Sequence, residues 1–378
     1  MEYLQQDSFD LILGWEFYVP LLMALVLIIL AVPVWAVLGV TTLSMLYFSE
    51  VLPMGLFGEA LFDGIDAFAL IAVPLFILTG DVLVRTGLSN KLLNVAEALV
   101  GGFRSGFGTA TVIVCGFFAC ISGSDAAGAA GVGRMTIARL VEQGYPRPYA
   151  CALVAAGACT GILIPPSIAY IIIGLILGIS ATTLFLAAVI PGLLIIITIM
   201  ITNIVMNRIM GYENAGQKFS IKRLWDAVYD ARFALLVPFI IMGGIYSGVF
   251  TPTEAAAVAV ITTIIIGLCI GSISISDFPK MLASSAKVNG VIVPIIAFSL
   301  PLAQTLAALE IPQGFVYAMT SITENRTIII LMMIGILIFA GCVMETTPNI
   351  VILAPIMLPL AQEIGMNEIH FCIMMVTS

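Results

Sequence analysis

Charge is what this sequence has least of. Only 10% of its 378 residues are Asp, Glu, Lys or Arg and 61% are hydrophobic, whereas a soluble domain carries about a quarter charged residues. With a mean hydropathy of +1.17, the chain reads as a polytopic membrane protein set in a lipid bilayer, and a water-soluble fold is excluded. The formal charge of −8 comes from few groups scattered over many segments, so it gives no sign of a nucleic-acid partner. Paired metal-ligand spacing is missing as well. The seven cysteines (115, 120, 151, 159, 269, 342 and 372) all fall within apolar segments, which favours packing over disulfide or zinc roles. A basic run followed by an apolar core is also lacking at the N-terminus, where the first residues carry acids, so no cleavable signal peptide is read.

What is there is organised around Ile121 to Gly128, Ile-Ser-Gly-Ser-Asp-Ala-Ala-Gly, a run of small and polar residues within apolar sequence. The apolar flanks, 109–120 and 129–140, are each about a dozen residues, against the roughly 20 a membrane-crossing helix needs. Two short helices meeting at a polar break predict a hairpin that dips into the membrane and returns. Irregular backbone at that depth survives only where protein or a water-filled cavity covers it.

Crossing segments are predicted over 16–32, 34–47, 67–84, 149–179 and 182–206, with an amphipathic stretch over 88–100. After one long polar connection the order repeats over 233–249, 253–270 and 291–309, followed by the counterpart of the hairpin over 327–360. Offsets support a duplication. Val19-Pro20 and Val237-Pro238 lie 218 residues apart, Pro33 and Pro252 219, and Val73-Pro74 and Val293-Pro294 220. Phe118-Ala119 and Phe339-Ala340, Gly144 and Gly365, and Cys151 and Cys372 are each 221 apart. The first half has five crossings, an odd number, so its copy must enter from the opposite side, which makes an inverted repeat, the common plan of secondary transporters. The expected fold is thus an all-α polytopic membrane protein, an inverted-topology repeat with two re-entrant hairpins and broken helices. Residues 1–206 form the first repeat, with its hairpin over 109–142 and a broken helix over 149–179. Residues 207–232 form a cytoplasmic connection, and 233–378 a second, incomplete repeat with its hairpin over 327–362.

With the N-terminus outside, all of the 14 Lys and Arg residues except Arg326 fall in or beside cytoplasmic connections, as the positive-inside rule asks. Acidic positions such as Glu2, Asp7, Asp10, Glu363 and Glu368 then lie outside. The base of the first hairpin, marked by Arg104, Arg134, Arg139 and Arg147, faces the cytoplasm.

Shifting Ser122–Gly128 by 221 gives Val343–Asn349, Val-Met-Glu-Thr-Thr-Pro-Asn. Two polar breaks in corresponding positions of inverted halves point to a binding site near the midplane; close helix packing is the other use of such small residues. A further break is expected in Gly157–Ser167, where Pro165-Pro166 stops one helix near Thr160–Leu163 and starts the next at Pro165 or Pro166. A simple proline kink is the alternative. Carbonyls freed at 120–123 and 160–163 can replace water around Na⁺, and amides freed at 125–128 and 166–168 attract an anion. An anionic solute would then rely on these amides with Ser124, Ser167, Thr346, Thr347 and Asn349. Asp125 and Glu345 are the acids set deepest, one in each tip. A charge there costs roughly 2.5–3.5 kcal/mol, so each is a functional candidate, as cation ligand or proton carrier. Glu254, in Thr-Pro-Thr-Glu, reads instead as a helix cap.

Ser-Gly-Ser-Asp-Ala-Ala at 122–127, Gly-Ile-Leu-Ile-Pro-Pro-Ser at 161–167, Thr-Pro-Thr-Glu-Ala-Ala at 251–256 and Glu-Thr-Thr-Pro-Asn at 345–349 carry a resemblance over essentially the whole chain. The sequence resembles the large membrane subunit of tripartite ATP-independent periplasmic (TRAP) transporters. The resemblance implies an elevator-type carrier in a bacterial inner membrane that imports an anionic solute, a carboxylate or sulfonate, with Na⁺ as coupling ion. It also implies two partners, a small membrane subunit and a periplasmic solute-binding protein. One Na⁺ site would comprise Ser122, Gly123, Ser124, Asp125, Thr160, Gly161 and Pro165, and a second Glu345, Thr346 and Thr347. Asp125 would also border the solute site. Repeat arithmetic places the second broken helix beyond Ser378, so the repeat reads as truncated at its C-terminal end. Two other functions remain at this point: a Na⁺/dicarboxylate symporter that needs no binding protein, and an intramembrane serine protease pairing Ser124 with His370, the one histidine.

Overall fold

The computed structural model describes residues 14–102, 105–213 and 219–378, and among these there are helices and turns but no strand. Arg104, Glu2, Asp7 and Asp10 lie outside the described residues. The chain forms two packing units, each drawn from both sequence halves. One comprises residues up to Leu70, Ile172–Ser180 and Asn289–Ser378; the other comprises Ile71–Ile171 and Ala181–Val288. Five helical segments among the described residues are long and apolar enough to cross a membrane: Phe68–Arg85, Ala181–Met210, Pro252–Ile270, Ile275–Ala308 and Arg326–Val343.

The second unit holds the opening stretch. Its helices are α4 (Ala72–Arg85), α5 (Leu88–Val100), α6 (Gly106–Ser122), α7 (Asp125–Glu142) and α8 (Arg147–Ala158). They are followed, beyond a break, by the start of α9 (Ile168–Leu177), then α10 (Ala181–Met210), α11 (Ile221–Asp230), α12 (Arg232–Tyr246), α13 (Pro252–Ile270) and the first turns of α14 (Phe278–Ala308). The predicted amphipathic stretch is α5, whose Leu92, Leu93 and Ala96 face are buried. α6 packs on α5, α7 and α8, and α4 on α13. Between them Phe76, Phe118, Phe185, Leu83 and Ile121 are fully enclosed. The α13 start is the predicted cap. Thr251 Oγ1 accepts from the Glu254 amide at 3.3 Å while Glu254 accepts from the Thr251 amide at 2.8 Å, a reciprocal capping box. α11 meets α12 at 74°, so the polar connection between the halves contains a helix.

The first unit holds α1 (Trp15–Ile29), α2 (Val34–Ser49), α3 (Met54–Ile65), the remainder of α9 and α14, α15 (Ile311–Ile322), α16 (Arg326–Val343), α17 (Thr346–Glu363) and α18 (Glu368–Thr377). Here Gly39 lets the Phe298 ring close in, since a β-carbon there would meet it at 2.7 Å. Trp35 stacks on the same ring at 5.9 Å. α17 packs on α15, α16 and α18.

Two expectations need correction. The helices flanking the first tip are 17 and 18 residues long, about 26–27 Å each, and not the dozen apolar residues expected. Helix continues through Gly106–Gly108 and through the charged turn at Arg134–Glu142, where backbone hydrogen bonding persists although hydropathy has fallen. The half-helix after the tandem proline starts at Ile168, not at Pro165 or Pro166. Both prolines lie in the turn itself, joined by a cis Pro165–Pro166 peptide. The first helical amide, that of Ile168, is committed elsewhere.

Candidate functional site

The two breaks of the second unit meet. α6 ends at Ser122, and Gly123 takes a left-handed φ of +61°, which glycine adopts without penalty. Ser124 then reverts to extended backbone and heads α7, its Oγ accepting from the Ala127 amide at 3.4 Å. On the other side α8 passes into a 3₁₀ turn, Cys159–Ile162, before the prolines. The Ile168 N–H donates to the Gly123 carbonyl at 3.2 Å. A β-carbon on Gly123 would stand 2.7 Å from the Pro166 carbonyl oxygen, and one on Gly161 2.8 Å from that of Ser124. The structure therefore brings Ser122–Asp125 and Thr160–Ser167 together, 35 or more positions apart in sequence.

Each predicted residue can be placed. Ser122, Thr160 and Ser167 are wholly buried. Their hydroxyls donate to Phe118 (3.1 Å), Gly157 (2.6 Å) and Ile162 (2.6 Å) carbonyls, and Ser122 Oγ also accepts from the Ser124 amide at 3.4 Å. Gly161 and Pro165 are buried, and Asp125 is half-buried with one carboxylate oxygen taking the Ala126 amide at 2.7 Å. Ile168, expected to offer a free amide, does not: its N–H already holds the Gly123 carbonyl.

The second tip, in the first unit, is shorter than its Val343–Asn349 window. α16 ends at Val343 and α17 begins at Thr346, with Glu345 in the N-cap position and exposed. Thr346 is half-buried, while Thr347 and Asn349 are buried. The Asn349 Oδ1 is enclosed and has no hydrogen-bond partner among the described residues. α7 and α17 start at 125 and 346, and α8 and α18 at 147 and 368, so these helix starts keep the 221-residue spacing.

Sequence reasoning missed two features of the second unit. One is a cavity of about 390 Å³ beside α7, bordered by Asp81, Ser124, Arg134, Ser284 and Ser285. The other lies at the base of the hairpin. Buried Glu213 accepts from the Phe107 (2.8 Å) and Gly108 (3.3 Å) amides at the start of α6 and from Tyr145 Oη at 2.9 Å. Asn207 grips the Glu213 backbone at 2.7 and 3.0 Å. Burial first, and the Glu213 carboxylate second, push the Tyr145 phenol above its ordinary range. Nothing local in the sequence links these residues, since 68 to 106 positions separate Glu213 from its side-chain partners.

A family model described as tripartite ATP-independent periplasmic transporter, DctM component, matches residues 21–378. The chain belongs to the DctM family. Among curated relatives it is 33% identical, over 93% of its own length and 55% of the relative's, to the isethionate TRAP transporter permease protein DctMQ of Oleidesulfovibrio alaskensis. The chain thus spans about half the length of that relative. It is 31% identical to the C4-dicarboxylate TRAP transporter large permease protein DctM of Rhodobacter capsulatus (93% of the chain, 83% of the relative). It is also 31% identical to the sialic acid TRAP transporter large permease protein SiaM of Vibrio cholerae (84% and 74%). The solved YdaH transporter of Alcanivorax borkumensis shares the DctM chain's fold, with a TM-score of 0.56 at 14% identity over 84% of this chain and 75% of that one.

Proposed function

We propose that this chain is the large membrane subunit of a secondary transporter that imports an anionic organic solute, a carboxylate or sulfonate, across the bacterial inner membrane in symport with Na⁺. A periplasmic solute-binding protein delivers the solute, and a small membrane subunit completes the assembly. The relatives' names, isethionate, C4-dicarboxylate and sialic acid permeases, support an acidic solute. One observation carries the site: the Gly123–Ser124 break lies against the Gly161–Ser167 break, so carbonyls for a cation and a helix start for an anion occur side by side.

In this reading Na⁺ takes carbonyl and hydroxyl oxygens from Ser122, Gly123, Ser124, Asp125, Thr160, Gly161 and Pro165. A second ion uses Glu345, Thr346 and Thr347. The solute's acidic group lies at the positive start of α7 beside Ser124 and Ser167, with Asp125 facing it through the bound cation; Thr346, Thr347 and Asn349 are the corresponding solute candidates at the second tip. Sodium draws the Gly123–Ser124 and Gly161 segments together, and its charge offsets that of the arriving anion. In this reading the N-terminus lies outside and transport proceeds by an elevator movement.

The deciding experiment reconstitutes the full-length protein with both partners in liposomes. Solute uptake should require an inward Na⁺ gradient. Uptake driven by a pH gradient and indifferent to Na⁺ would reject the ion assignment and turn attention to Asp125 and Glu345.

A further inference from the structure

The cavity beside α7 has polar groups at a distance from the tip. Asp81 and Arg134 are its charged residues, with Ser284 and buried Ser285 on the start of α14. The Asp81 carboxylate is already matched by Arg85, whose Nε donates to it at 2.8 Å. Arg134 has no ion pair among the described residues, so it sets the sign of the cavity.

Arg134 follows Asp125 by nine positions on one helix, about 13.5 Å along the axis. Helical side chains lean toward the N-terminus, which brings the guanidinium back to within about 7 Å of the Ser124 end. The α7 wall in between is Ala126, Ala127, Ala130 and Gly131, too small to obstruct a ligand. A guanidinium offers a planar fork that pairs with carboxylate or sulfonate and keeps its charge at any physiological pH.

We propose that Arg134, with the Ser284 and Ser285 hydroxyls, binds the second acidic group of a small organic dianion whose first group lies at the tip. This rests on the solute assignment made above and adds to it a selection rule, dianion over monoanion. It places the discriminating charge on the flank of the hairpin, where a dicarboxylate reaches and a monocarboxylate of equal length finds nothing to neutralise Arg134.

The test uses Ala130→Cys in the full-length protein, one turn from Arg134, labelled with a negatively or a positively charged methanethiosulfonate. Modification is read by mass spectrometry of the peptide carrying position 130, so the native cysteines do not interfere. The anionic reagent should react about fivefold faster than the cationic one, and Arg134→Gln should remove that advantage. Succinate should slow the labelling several-fold and butyrate should not. Ala126→Cys serves in the same way if position 130 does not tolerate cysteine. A cationic reagent that reacts as fast with Arg134 in place, an anionic preference that survives Arg134→Gln, or equal effects of succinate and butyrate would each overturn the proposal. Failure of Na⁺-dependent uptake would overturn the transport reading while leaving this labelling pattern intact, so the two can be told apart.

Discussion

Gly161 lies against the peptide of Ser124 so closely that a β-carbon on it would stand 2.8 Å from the Ser124 carbonyl oxygen and 3.0 Å from the Asp125 amide nitrogen. The neighbouring atoms are backbone and cannot swing away. The contact fixes one break on the other, and it is available only to glycine.

Gly161→Ala should therefore separate the two breaks, at a cost of about 1–3 kcal/mol, and abolish most uptake. Gly128→Ala, one turn further along α7, meets nothing nearer than 3.7 Å and should be tolerated. Thermal unfolding in detergent, alongside uptake by reconstituted protein, measures both. Wild-type behaviour of the Gly161 variant would remove the contact from the mechanism.

Ser124 caps α7, and its peptide lies against Gly161. Replacing it with alanine should cost about 1 kcal/mol and raise the Na⁺ needed for half-maximal uptake roughly fivefold. Asparagine caps equally well, so Ser124→Asn should restore stability. Titrating uptake against Na⁺ for both variants shows whether the ion depends on the hydroxyl or only on the helix start; Thr346→Ala is the matching variant at the second tip.

Asn349 holds a buried Oδ1 that no group among the described residues satisfies, a cost of about 1–3 kcal/mol for a structural residue. Asn349→Leu, of similar volume, should leave the melting temperature unchanged or higher while uptake falls. If uptake were unaffected, a solute or ion role for Asn349 would be withdrawn.

Glu213 joins the start of α6 to Tyr145 and to the end of α10. Glu213→Ala leaves two buried amides and a phenol without their acceptor and should destabilise by about 2–3 kcal/mol, against about 1 kcal/mol for Tyr145→Phe. A double-mutant cycle read by thermal unfolding should find the two changes clearly non-additive, because they remove one shared interaction. Additive losses would mean that the hydrogen bond is worth little.

Local chemistry settled much of this protein in advance. Scarce charge and long apolar runs fix a helical membrane protein, because backbone in lipid must bond within its own segment. Gly123-Ser124, the tandem proline and Thr251-Pro252-Thr253-Glu254 stop and start helices through their own dihedral and capping preferences, so the breaks and the α13 cap were legible from a few residues. Helix lengths were less so: α6 and α7 run on past their apolar stretches because a hydrogen-bonded helix does not need hydrophobic side chains to continue. What no local rule could supply was which break meets which. The Gly123 carbonyl on the Ile168 amide, Gly161 on Ser124, Glu213 on the start of α6 and the Arg134 cavity all join segments tens of residues apart. Only the packing of α4 to α8 around one core brings them within bonding distance.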